Sequence, residues 1–170
     1  MIKTATWIAA IDRVSRWLGN ITATLLLLMA LLAGLVVLLR YGFEVGSIAL
    51  QESVLYLHGA VFTLGAGFTL LHQGHVRVDI FYQHWSTRRQ AAVDLTGLLL
   101  LLLPVLLFFG YSSWDYVMVS WQRWEGSPEA GGLPLVYLQK SLILGLVLAL
   151  LLQTIAEVGR CITTLSGARS

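Results

Sequence analysis

The sequence predicts an all-α polytopic membrane protein, with four transmembrane helices, short amphipathic interfacial helices and both termini in the cytoplasm. Three observations carry that prediction. Apolar residues make up 57% of the chain and charged residues 12%, about half the charged share of an ordinary soluble domain. The charges leave four uncharged runs, Trp17 to Leu39, Ser53 to Leu71, Leu95 to Trp114 and Ser141 to Ala156. A hydrocarbon core about 30 Å thick is crossed by about 20 helical residues, so the first three runs qualify as they stand. The fourth qualifies when extended back through Leu133, with Lys140 reaching toward the headgroups. Finally, Lys3, Arg13, Arg16, Arg77, Arg88, Arg89, Arg160 and Arg169 fall with the termini and the second connector, whereas Arg40, Arg123 and Lys140 fall in or beside the first and third. The positive-inside rule then puts the termini and second connector in the cytoplasm and the other two connectors outside.

The elements follow in order. In residues 1–16, Trp7, Ile11 and Val14 recur at helical spacing, continuing to Leu18, with Asp12, Arg13 and Arg16 on the other side. This pattern predicts an amphipathic helix lying in the cytoplasmic interface before the first spanning helix, in preference to a simple extension of that helix. Residues 17–39 form that spanning helix; Arg40-Tyr41 follows it rather than a small-residue cleavage site, so it reads as retained and not as a signal peptide. Residues 53–71 form the second. A short interfacial segment over 76–86 follows a break at Gly74, with Phe81, Tyr82 and Trp85 at headgroup level and Ser86 or Thr87 as the cap of the third helix. That helix spans 88–114, with Pro104 expected to kink it. Tyr111, Trp114, Tyr116, Trp121 and Trp124 form an aromatic girdle, and Glu125 to Pro134 is rich in turn formers. The fourth helix spans 133–157, so residues 1–170 form a single membrane domain.

The chemistry of these segments narrows the function. No Asp, Glu or Arg lies within the four uncharged runs, whereas ion-coupled carriers usually place such groups inside the membrane. No pair of inverted halves is present to build a complete carrier. All four histidines fall between residues 58 and 84, so haem b, which needs axial ligands from facing helices, lacks its second ligand. His72, His75, Asp79 and His84 match no metal-ligand spacing. Phosphate loops, nucleophile elbows and zinc-protease helices are missing, so nothing points to an enzyme or to a bound cofactor, and a net charge of +2 gives no reason to expect nucleic acid. The single Cys161 excludes an internal disulfide. Gly59, Thr63 and Gly67 recur every fourth residue on the second helix, and Ala30 with Gly34 repeats the spacing on the first. Such faces admit a closely packed helix, from a partner or from the same chain.

Several motifs in order then resemble a known family: Arg40-Tyr-Gly-Phe43, Gln51-Glu52 leading to Tyr56, Leu64-Gly-Ala-Gly67, His75-Val-Arg-Val-Asp79-Ile-Phe-Tyr82, Asp94-Leu95 and Gly131-Gly-Leu-Pro134. Together they look like the small membrane subunit (DctQ-like) of tripartite ATP-independent periplasmic (TRAP) transporters. The run Glu125 to Pro134 resembles the branch labelled mannitol/chloroaromatic. The resemblance implies a non-catalytic subunit of the bacterial inner membrane that forms a scaffold with a large membrane subunit, here a separate chain. A periplasmic binding protein would deliver a small solute, commonly an organic acid, for sodium-driven uptake, with the sodium ions held by the large subunit. Glu52, Arg77 and Asp79 match the family's polar positions and are candidates, with Gly59, Thr63 and Gly67, for the partner interface. Glu44, Glu125 and Glu129 are candidates to face the binding protein, and membrane lipids are expected partners. The alternative is a haem- or quinone-associated anchor of a redox enzyme.

Overall fold

The computed structural model describes residues 2–74 and 82–167, with side chains described from Thr6 onward. The described residues are mostly helical and form no strand. Four helices are long and apolar enough to cross a bilayer. They are α1 (Ile2–Gly42), α2 (Ile48–Leu71), α3 (Thr87–Gln122) and α4 (Val136–Leu165).

Residues 1–16 were expected to form a separate amphipathic helix in the interface; in the structure residues 2–16 instead continue the first span without a break. Helix α1 runs unbroken over 41 residues, about 60 Å at an α-helical rise. No proline interrupts it, and its early turns dock on α4 through Asp12 and Ser15, while Val14 of the apolar stripe stays exposed. Trp7 lies on Gly159 of α4, where a Cβ would stand 2.7 Å from the indole. The chain leaves α1 through Glu44, at φ 56°, with the Val45 amide bonded to the Leu39 carbonyl at 2.9 Å. Ser47 then caps α2 by accepting from the Leu50 amide at 3.4 Å.

Ser86 is the cap residue of α3, extended in backbone. The described end of the second connector folds back on this helix: the Tyr82 hydroxyl donates to Asp94 Oδ2 at 2.6 Å, and Gln90 Nε2 donates to the Tyr82 carbonyl at 2.9 Å. Just before Pro104 the helix makes a single π-helical turn over Leu98–Leu102. Proline has no amide hydrogen and its ring crowds the preceding turn; the Leu103 amide reaches one residue further than usual, to the Leu98 carbonyl. The helix ends at Arg123, and Trp124, at φ 47°, turns the chain into the third connector. Pro134 precedes the first helical residue of α4 rather than lying within it.

Helix α4 is the hub, packing against α1, α2 and α3, while α1 also packs along α2 and α3 docks chiefly on α4. Of the most apolar stretch of α4, 28% is buried, against 6% for α1 and 11% for α2 and α3. The remaining faces of α1 and α3 present bare leucines, valines and aromatics, such as Leu27, Leu31, Leu100, Leu101 and Phe108.

With little hydrophobic drive between helices in lipid, close backbone approach carries much of the packing, and glycines mark the crossings. The ring of Phe68 fills the space a Gly19 side chain would occupy. A Cβ on Gly65 would meet Thr22 at 3.6 Å, one on Gly110 would meet Val147 at 3.2 Å, and one on Gly67 would stand 2.9 Å from the Ala149 carbonyl oxygen. That last neighbour is backbone and cannot rotate away. We expect Gly67→Leu to push α2 off α4, at a cost of about 1–3 kcal/mol or more for an overpacked contact. The measurement is the melting temperature and yield of the detergent-purified chain; values equal to wild type would contradict the α2–α4 contact.

Candidate functional site

Polar side chains gather at the two ends of the bundle. At the end opposite the termini, Glu52 projects from the first turns of α2 into the third connector. Its Oε2 accepts from the Leu133 amide at 2.6 Å, and its Oε1 accepts from the Ser127 hydroxyl. The connector is folded to fit it: the Ser127 amide bonds the Leu133 carbonyl at 2.9 Å, and the Glu129 amide donates to Ser127 Oγ at 3.1 Å. Gly131 turns the chain at φ 83°, and a Cβ on Gly132 would stand 2.8 Å from Glu52 Oε1. One carboxylate therefore fastens the loop between α3 and α4 to α2. Charged hydrogen bonds of this kind are about twice as strong as neutral ones.

Beside this clasp, Lys140 was expected to reach for headgroups, and it is held within the protein instead. Its Nζ lies 2.6 Å from Glu125 Oε2 and 4.0 Å from the centre of the Tyr116 ring. The hydrogen bond from the Lys140 ammonium holds the Glu125 carboxyl below the usual carboxylate range. Trp121, Trp124 and Tyr137 meet edge to face next to this pair, with ring centres 4.7 to 6.0 Å apart, and Trp121 Nε1 donates to Ser141 Oγ at 2.7 Å. A cavity of about 510 Å³ opens here, lined by Asp115, Tyr116, Val119, Arg123, Glu125 and Lys140.

At the end that carries the termini, a second network joins α1 to α4. Arg160 donates to both oxygens of Asp12, at 3.0 to 3.2 Å, and to both oxygens of Glu157, at 2.8 and 3.2 Å. Gln153, fully buried, accepts from the Ser15 hydroxyl at 2.7 Å and donates to Glu157 Oε1 at 3.1 Å. None of these five residues stood out as a site in the sequence. Gln153 is uncharged, and hydropathy absorbs it into the last apolar run. The available signal was its placement one turn before Glu157 on a spanning helix, since polar groups in such helices usually have a partner.

The residues singled out from the sequence separate into three sets. Gly59 and Gly67, candidates for a partner interface, face α4 of their own chain, with Gly59 packed beside Leu142. Thr63, between them, donates to the Gly59 carbonyl at 2.7 Å. That face is therefore occupied within the subunit. Glu52, Glu125 and Glu129 come together in or against the third connector, while Glu44 is exposed in the first. Arg77, Asp79 and His75 lie outside the described residues, as does most of the interfacial segment 76–86. His72 Nδ1 lies 3.0 Å from the Phe68 carbonyl of its own helix.

The arrangement is that of four helices locked by polar clasps at both ends, and a comparison with known families gives it a context. The family model described as "Tripartite ATP-independent periplasmic transporters, DctQ component" matches residues 28–164, a stretch that takes in α2, α3 and nearly all of α4. The chain belongs to this family. No curated protein and no solved structure matches it. It is thus a DctQ component, the small component of a TRAP transporter, in a family of transporter subunits rather than enzymes. Both clasp residues Glu52 and Leu133 lie within the stretch that defines the DctQ component, whereas Asp12 and Ser15 precede it.

Two outcomes follow from the geometry. Glu52→Gln removes the charge from both bonds and is expected to loosen the loop, since charged hydrogen bonds are stronger than neutral ones. The Leu133 amide should then exchange its hydrogen faster, with helicity unchanged; unaltered exchange would show that the loop holds without the clasp. Glu125 has a folded pKa below its unfolded value, so its contribution is complete above the usual carboxylate pKa of about 4 and is lost as pH falls through the depressed value. Melting temperature should accordingly fall more steeply on acidification in the wild type than in Glu125→Gln. Parallel acid profiles would count against the pair.

Proposed function

We propose that this DctQ component is a fixed, non-catalytic scaffold subunit, set beside a large membrane subunit carried on a separate chain. Together they take up a small solute, an organic acid, by sodium symport, with a periplasmic protein delivering it. The observation that supports a passive role is the employment of the charged groups. Those with partners in the described helices sit at the two ends, where Glu52, Lys140, Asp12, Glu157 and Arg160 bind other parts of the same chain. None lies in the uncharged runs, so the coupling ions are assigned to the large subunit.

The excess of Lys and Arg beside the termini supports a bacterial inner-membrane protein with both termini in the cytoplasm. The clasped third connector and the first connector then face the periplasm. Of the three glutamates considered there, Glu44 and Glu129 remain exposed for the binding protein, while Glu125 is engaged by Lys140. Arg77 and Asp79 keep their interface assignment through the resemblance to the family's polar positions. The Glu125 to Pro134 run supports the mannitol/chloroaromatic branch. A haem-bearing anchor is disfavoured because the histidines are confined to residues 58–84.

Purification of the tagged chain from its native membrane in mild detergent should bring down a large many-helix protein. Vesicles holding both chains, with the binding protein added, should accumulate solute on a sodium gradient, and vesicles holding this chain alone should not. Flavin or iron–sulfur subunits in the eluate, or uptake by the isolated chain, would overturn the proposal.

A further inference from the structure

His58 has no role in either clasp, and its position is unusual. It lies on α2 about 15 Å along the helix axis from Ile48 and about 20 Å from Leu71 at the α-helical rise, close to the middle of a hydrocarbon core about 30 Å thick. Nevertheless its side chain is exposed. It shares an outward stripe with Gln51, Leu55 and Phe62, spaced three and four residues apart; Leu55 is 56% exposed and Phe62 70%. The other faces of α2 are taken within the chain, by α4 at Gly59 and Gly67 and by α1 at Gly65.

An imidazole carries both a hydrogen-bond donor and an acceptor in its neutral form. Hydrocarbon supplies neither, and polar residues at this depth face protein or a water-filled cavity rather than lipid. The ring is too short to reach the headgroups from the middle of the helix, as a lysine near a helix end does. His72, on the same helix, lies within hydrogen-bonding distance of the carbonyl one turn back, and His58 has no corresponding bond among the described residues.

We propose that the stripe Gln51, Leu55, His58 and Phe62 is the face on which a spanning helix of the large subunit packs, with His58 hydrogen-bonded to a polar group of that helix near the bilayer midplane. Leu55 and Phe62 pack as apolar knobs one turn to either side and exclude lipid from the bond. The assignment rests on the reading of this chain as the small subunit of a two-chain membrane complex. It adds to that reading the face that is used and the chemistry of the opposing surface, which is a hydrogen-bonding side chain or an opened helix backbone set among apolar residues.

The test co-expresses the tagged chain with its large subunit. His58→Leu keeps an apolar side chain in place of the imidazole, so the chain by itself should retain its helicity and run as a single species. The amount of large subunit retained after washing should fall about tenfold, the factor expected from one lost interhelical hydrogen bond of ordinary strength. His58→Gln, which again offers a donor and an acceptor, should restore most of the capture. A photoreactive Phe62→p-benzoylphenylalanine should yield an adduct with the large subunit. Wild-type capture by His58→Leu, or adducts confined to lipid or to a second copy of this chain, would overturn the assignment and leave the subunit's function standing. Failure of the wild-type chain to capture any large subunit would remove the functional reading itself, and this interface with it.

Discussion

Hydrocarbon offers no hydrogen bonds, and this constraint organises the molecule. Polar side chains in the spanning helices must find partners in the protein or lie near water. The chain answers it in two ways. Serines and threonines along the helices bond back to carbonyls of their own turns, as Thr63, Thr69 and Thr154 do. The stronger groups are drawn to the ends, where Glu52 fastens the third connector and Arg160 gathers two carboxylates. Between these ends the helices are held by shape, with glycines admitting the backbone or side chains of a neighbour at each crossing.

That division explains why α4 is central. It supplies Gln153, Glu157 and Arg160 to one clasp and Lys140 to the other end, and between them it offers Ala149 and Val147 as knobs for Gly67 and Gly110. Helix α3 leans on α4 and continues through its π turn before Pro104 without a break. The broad apolar faces left on α1 and α3 need only lipid to cover them. An imidazole on α2 is a different matter, because lipid does not satisfy it.

The four helices were legible because charge cannot be hidden in a bilayer: gaps between charged residues in the sequence mark the spans. What such gaps do not reveal is pairing. The stripe of Trp7, Ile11 and Val14 marks one face of a helix, yet α4 packs on the adjoining face of Asp12 and Ser15 and leaves Val14 exposed. Gly59 and Gly67 announce close packing, without naming the helix that packs. Glu52 drew notice through family resemblance, yet its partners Ser127 and Leu133 lie far along the chain and are brought to it by the fold. Gln153 gives no signal in a hydropathy reading because it carries no charge, although its buried amide costs free energy unless its hydrogen bonds are made.

The extended first helix has a mechanical consequence. At about 60 Å, α1 is about twice as long as the hydrocarbon is thick, and its early turns are riveted to the last turns of α4 through Asp12, Ser15 and Trp7. Sliding one rod along the other by a single turn would strip the guanidinium of its bidentate partner and drag an indole out of its glycine seat. The two helices therefore behave as one stiff keel, whose depth in the membrane is a property of the pair.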